Sequence, residues 1–147
     1  MSVRLDHANL AVRDVDGMIR FLRTAFPEFR VRAEGKTWGG ARWVHVGTDG
    51  VYLALQEATR EPAEPGEPYA GKPGTNHLGF EVDDAEAVRA RLVAAGYEDS
   101  TVPNAHPHRR RVYCRDAQGN DWEFVQYLSA DPAERHKYTR AVMRRFA

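Results

Sequence analysis

Apolar residues recur at two different spacings along this chain, and the two spacings alternate in a fixed order. From Val15 they take a helical step through Met18, Ile19, Leu22 and Phe26, with Asp14 ahead as N-cap and Pro27 behind as a stop. A second helical stretch runs through Ala85, Val88, Leu92 and Ala95, capped by Asp84 and ended by Gly96. Around the helices lie short β-rich runs. In the first half one opens at His7, and three follow over Phe29–Glu34, Ala41–Val46 and Val51–Gln56. In the second half one opens at His77, and three follow over Tyr97–Val102, Arg111–Arg115 and Asp121–Leu128. Glycine- and proline-rich breaks separate them, so each half reads βαβββ.

The halves also match residue by residue. With His7 laid on His77 and no gap, Val12 meets Val82, Asp14 meets Asp84, Leu22 meets Leu92, Ala25 meets Ala95 and Glu28 meets Glu98. This predicts an α+β fold of two paired βαβββ modules in one domain spanning residues 1–147. Module 1 covers about residues 3–57 and module 2 about 76–128. The intervening residues 58–75 contain Pro62, Pro65, Pro68 and Pro73, which cannot pair in a sheet, and read as a linker. It is long enough to cover a site or to carry the second module to another subunit. Asp131-Pro132 predicts a final helix over about 131–146, with Tyr138, Val142 and Phe146 on one stripe.

Strand alternation then places the polar residues. Ala8, Leu10 and Val12 share the face expected under the first helix, and His7, Asn9 and Ala11 the other. Leu78, Phe80 and Val82 likewise oppose His77, Gly79 and Glu81. If similar modules pair about a two-fold axis, His7 and His77 meet at its centre. In the last strand Glu123 faces away from Trp122 and Phe124, and a carboxylate in so apolar a strand is costly unless paired or bound to a cation. A lone strand histidine or glutamate is usually structural. Together these three form a set that would hold one divalent ion (Fe, Mn, Zn or Ni) and leave positions open for substrate or water.

Composition limits the alternatives. The chain has 147 residues with 42% hydrophobic and 29% charged, and 21 basic residues balance 21 acidic ones. Bulk attraction to nucleic acid or anionic lipid is not supported. No apolar run reaches membrane-spanning length and residues 1–7 hold no secretion-type apolar stretch. The single cysteine, Cys114, permits no intrachain disulfide. A cytoplasmic location is expected. The default reading of Cys114 is a buried, inert thiol.

Three motifs carry a family resemblance: Asp6-His7-Ala-Asn-Leu-Ala-Val with Asp14, Asn76-His77-Leu-Gly-Phe-Glu-Val, and Asp116-Ala-Gln-Gly-Asn-Asp-Trp-Glu-Phe. In order and spacing the chain resembles the vicinal oxygen chelate superfamily of glyoxalase, bleomycin-resistance and dioxygenase proteins, over about residues 3–128. The resemblance implies that fold and a metal bound by His7, His77 and Glu123. It also implies a small-molecule substrate, a homodimer, and lyase, thioltransferase or dioxygenase chemistry. The alternative it allows is a non-catalytic protein that sequesters a small molecule, as bleomycin-resistance proteins do. Glyoxalase I adds a carboxylate from the last strand of the first module, where this chain has Leu53 or Ala54. An efficient glyoxalase I is therefore not expected.

The remaining polar candidates surround that site. If Trp43 and His45 point inward, His45 is a general base or extra ligand and Trp43 a pocket wall. Asn9 can hydrogen-bond a substrate oxygen. Arg109, Arg111 and Tyr113 share a strand face, so Arg111 can reach an anionic substrate group. Most of residues 106–111 otherwise read as a solvated loop.

Overall fold

The computed structural model describes residues 3–60, 68–71, 73–103 and 105–138. The chain divides into two units, Met1–Glu64 and Pro65–Ala147, and both repeat one order of elements. The first holds β1 (His7–Val12), α1 (Val15–Ala25), β2 (Arg30–Lys36), β3 (Arg42–Gly47) and β4 (Tyr52–Glu57). The second holds β5 (His77–Glu81), α2 (Ala85–Ala94), β6 (Glu98–Asp99), β7 (Arg109–Arg115) and β8 (Asp121–Tyr127), then the short α3 (Pro132–Arg135). The βαβββ order expected from the sequence occurs twice.

Each unit is one mixed four-stranded sheet, ordered β1-β4-β3-β2 in the first and β5-β8-β7-β6 in the second. The first strand runs parallel to the last, and the other neighbours are antiparallel. The helices form where their caps predict. Asp14 accepts from Gly17 N at 2.8 Å and Asp84 from Ala87 N at 3.0 Å. α1 buries Val15, Met18, Ile19, Phe21, Leu22 and Ala25, and packs on β3 and β4. α2 buries Ala85, Val88 and Leu92. It packs on β6, β7 and β8, where Val112, Cys114, Trp122 and Phe124 are buried. One face of each sheet is thus covered, and His7 and His77 lie on the opposite face.

Three boundaries differ from expectation. The strand predicted over Tyr97–Val102 is only Glu98–Asp99, because Thr101 Oγ1 accepts from Tyr113 N at 2.9 Å. A side chain has replaced the ladder there, and Pro103 cannot resume it. β7 begins two residues early, so Arg109 is a buried strand residue rather than part of a solvated loop, and His106 is buried as well. The final helix ends at Arg135, not near residue 146. Its C-cap His136 N donates to Pro132 O at 3.0 Å, and the Lys137 carbonyl is bound by His106 Nε2 at 2.7 Å. Val142 and Phe146 lie outside the described residues.

One turn sets the start of β8. Buried Asp116 accepts from Gln118 N (2.8 Å), Asn120 N (3.0 Å), Asn120 Nδ2 (2.8 Å) and the indole Nε1 of Trp122 (3.0 Å). Gly119 turns the chain at φ +86°, which only glycine adopts without strain. Asp116→Ala would orphan the Trp122 indole and loosen the turn. It should lower stability by about 3 kcal/mol, the cost of stranded buried donors, seen as a lower urea midpoint at unchanged slope.

Candidate metal centre

In the second unit, parallel pairing sets His77 opposite Asp121 and Gly79 opposite Glu123. Period-two alternation brings the histidine and glutamate side chains together on the uncovered face. His77 Nε2 lies 3.1 Å from Glu123 Oε2, with the side chains 21% and 13% exposed. The other ring nitrogen is held from behind. Tyr69 Oη is 3.0 Å from His77 Nδ1 and donates to Asp121 Oδ2 at 2.9 Å. With its proton given to Asp121, Tyr69 accepts from Nδ1–H, which leaves Nε2 as the nitrogen that faces Glu123. Glu123 is fixed on its other oxygen, where Tyr113 donates to Oε1 at 2.5 Å.

His77 Nε2 and Glu123 Oε2 therefore face each other across 3.1 Å, bridged either by a proton on the imidazole or by a cation that both ligate. The donor set fits a divalent cation: adjacent ligands about 2.1 Å from one ion stand about 3 Å apart. The Tyr69–Asp121 pair is the outer support that ligand histidines commonly have. Burial alone would raise the Glu123 carboxyl. Hydrogen bonds from His77 and Tyr113, with the charges of His77 and Arg111, outweigh burial and hold it below the ordinary carboxylate range.

The first unit has a parallel arrangement. His7 Nδ1 contacts Asp6 Oδ2 at 2.8 Å and Tyr52 Oη at 3.1 Å, and the ring stacks on Tyr52 at 5.0 Å. This again leaves Nε2 as the nitrogen outside these contacts. The register His7↔Tyr52 and Asn9↔Ala54 matches His77↔Asp121 and Gly79↔Glu123, so Ala54, not Leu53, holds the position of Glu123. Opposite Ala54 stands His45, as Tyr113 stands opposite Glu123. The His45 ring lies 5.0 Å from those of Trp43 and Tyr52. Asn9 is exposed on the His7 face of β1.

The structure thus brings together His77 and Glu123 among the expected ligands. Among the described residues, no three His, Cys, Asp or Glu side chains are gathered to hold an ion. Arg111 lies near the pair, with Nη1 3.9 Å from Glu123 Oε1. Cys114 is buried and its thiol is pushed by burial up to about 12, as the inert reading expects. The sequence reading missed Tyr69, Asp121, Asp6 and Tyr52. Asp6 was legible as the acid before His7 and Asp121 as an acid two residues before Glu123; Tyr69 was not, since it belongs to the proline-rich segment.

A sequence model of the glyoxalase/bleomycin resistance protein/dioxygenase superfamily matches residues 4–124. No curated protein matches the chain. Among solved structures, a glyoxylase/bleomycin resistance protein/dioxygenase domain from Frankia sp. EAN1pec is similar, with TM-score 0.73 and 20% identity over 93% of this chain and 100% of that one. The fosfomycin resistance protein FosX of Mesorhizobium loti has TM-score 0.61 and 22% identity over 92% of this chain and 98% of its own. FosX of Listeria monocytogenes, solved with Mn(II) and sulfate, has TM-score 0.64 and 19% identity over 93% of this chain and 100% of its own. At these identities the likeness shows the fold.

The depressed Glu123 carboxyl has a consequence for stability. A group lowered in the fold stabilises it above the unfolded value of about 4.3, and that contribution is lost as pH falls through the folded value. Metal-free wild type should therefore lose urea resistance on acidification below about pH 5. Glu123→Gln should show a shallower loss over the same range.

Proposed function

The chain belongs to the glyoxalase/bleomycin resistance protein/dioxygenase superfamily, and we propose that within it this protein is a divalent-metal-dependent enzyme acting on a small molecule. The observation that supports this reading is the contact of His77 Nε2 with Glu123 Oε2 at 3.1 Å, two groups able to ligate one ion, while Tyr69 and Tyr113 hold their far sides. His7 completes the set, supported by its equivalent repeat position and equivalent Nδ1 support from Asp6 and Tyr52. His7 is supplied within one chain or by a second copy in a homodimer; light scattering decides between monomer and dimer.

A divalent cation bound there supplies Lewis-acid polarisation of a substrate oxygen. The protein's own groups do the rest. Tyr113 orients Glu123, Tyr69 fixes the His77 tautomer, and Asn9 and Trp43 line the substrate side. His45, opposite Ala54, is the nitrogen placed to take or return a proton. Ala54 stands where a proton-shuttling carboxylate would be needed for hemithioacetal isomerisation. Since general acid–base groups contribute about 10²–10⁴-fold, isomerisation of methylglyoxal with glutathione should stay far below efficient rates in Mn, Ni, Zn and Co forms.

Metal titration tests the reading directly, and Mn(II) is the first ion to try because a fosfomycin-resistance structural neighbour holds it. Metal-free protein should bind one ion per chain by calorimetry, and His77→Ala or Glu123→Ala should abolish binding. Tyr69→Phe should weaken it by about 10–100-fold, the usual effect of losing outer support. Ligand binding that proceeds in full under a chelator, with no ion taken up, would move the protein to the sequestering class.

A further inference from the structure

A cleft of about 920 Å³ opens in the second unit along the outer edge of β7, lined by Thr101, Pro103, Ala105, His106 and the arginines of β7 and α2. That volume is typical of small-molecule sites. Its lining carries Arg89, Arg109, Arg110 and Arg111 against the single acid Glu86.

Most of these cations are already committed. Arg89 binds Asp99 at 2.8 and 2.5 Å and Glu86 at 3.2 Å. Arg109 reaches the carbonyls of Arg135 and Lys137 at 3.4 and 3.5 Å, and its guanidinium lies 4.4 Å over the Tyr138 ring. His106 is engaged at both ring nitrogens, since Nδ1 accepts from His108 N at 3.1 Å and Nε2 donates to the Lys137 carbonyl at 2.7 Å. Arg110 is exposed.

Arg111 is different. Its side chain is only 10% exposed and its Nε, like those of Arg109 and Arg115, is buried without a hydrogen-bond partner, but it lacks the carbonyl and ring contacts that hold Arg109. Its nearest acid, Glu123, is 3.9 Å away, too far for a hydrogen bond. The Glu123 oxygen nearest to it, Oε1, already accepts from Tyr113. The charge is offset by the Glu123 carboxylate at 3.9 Å, but the hydrogen-bonding capacity of the buried Nε is not met. Its planar fork suits a two-oxygen acceptor.

We propose that this cleft binds the oxyanion of a small molecule, a carboxylate or a phosphoryl group, with Arg111 as the fork that receives it. Deepening the reading given above, this makes the substrate an anion; the rest of it would reach from Arg111 toward the His77–Glu123 pair. Recognition by Arg111 does not itself require the metal, so the two readings fail separately.

The test is titration of full-length, chelator-treated protein with acetate and, separately, inorganic phosphate, followed by NMR of the guanidinium and backbone signals, with Mn(II) binding measured in parallel. At least one probe should saturate, with the largest shifts at Arg111. Arg111→Met should weaken that binding at least tenfold, Arg111→Lys should lose part of it, and Arg110→Met should leave it nearly unchanged. Arg111→Met should still take up Mn(II). The probe that saturates identifies the group as planar or tetrahedral. Absence of saturable binding by either probe, equal binding by Arg111→Met, or equal losses in Arg110→Met and Arg111→Met would overturn the proposal.

Discussion

In the second unit, β5 lies parallel to β8 with His77 opposite Asp121 and Gly79 opposite Glu123, and the rest of the candidate centre follows from that register. Antiparallel β7 then brings Tyr113 opposite Glu123 and Arg111 opposite Val125. Gly79 leaves room beside the carboxylate; a Cβ there would sit 3.4 Å from Glu123 Oε2. Slipping β8 by one residue would turn Glu123 under α2 and Trp122 and Phe124 into solvent. The slip is resisted by the buried Trp122 and Phe124, and by Asp116, which ties the preceding turn to the Trp122 indole. The Asp-x-x-Gly-Asn-x-x-Glu spacing is thus a device for register, in which a buried carboxylate and a left-handed glycine decide where a second carboxylate falls.

The same register in the first unit carries different chemistry. Tyr52 replaces Asp121, Ala54 replaces Glu123, His45 replaces Tyr113 and Trp43 replaces Arg111. The result is a row of rings, Trp43, His45, Tyr52 and His7, each neighbouring pair about 5.0 Å apart, with Arg32 4.3 Å over Tyr52. Gly35 belongs to this row by necessity, since a Cβ there would come within 2.8 Å of the Trp43 ring. One unit offers stacking surface and a histidine nitrogen; the other offers a histidine, the carboxylate and the guanidinium paired with it. Identical topology with divided chemistry is what a duplicated module permits, because sheet pairing fixes positions and leaves the side chains on the uncovered face to vary.

Much of this was legible in the sequence. Asp14 and Asp84 announced both helices, strand alternation put His7 and His77 on the face away from them, and Glu123 stood out as a carboxylate between Trp122 and Phe124. What failed to show were contacts between residues distant in sequence and substitutions of side chain for backbone. Thr101 takes over a ladder position that propensity would give to a strand. His106 looked like solvated loop, yet it closes a bond to the Lys137 carbonyl and helps stop a helix whose pattern alone predicted continuation. Tyr69 could not be foreseen, because a proline-rich segment gives no period from which to assign a face.

Departures from local rules gather in one place. Among the described residues, Tyr69 is the non-glycine residue with positive φ, at 66°, a conformation costing about 1–3 kcal/mol for such a side chain. It holds the far nitrogen of His77, whose near nitrogen meets a carboxylate, and Arg111 stands 3.9 Å from that carboxylate with its Nε unpaired. Elsewhere in both units caps, turns and strand faces agree with the sequence, which is how a chain specifies one fold. The strained Tyr69, the His77–Glu123 contact and a buried guanidinium with an unmet Nε would each be removed by ordinary substitutions if stability were the sole demand. The proposed metal and the proposed oxyanion together account for their convergence on one face of one sheet. A cation held by His77 and Glu123 and an anion held by Arg111 carry opposite charges, which would favour their binding side by side.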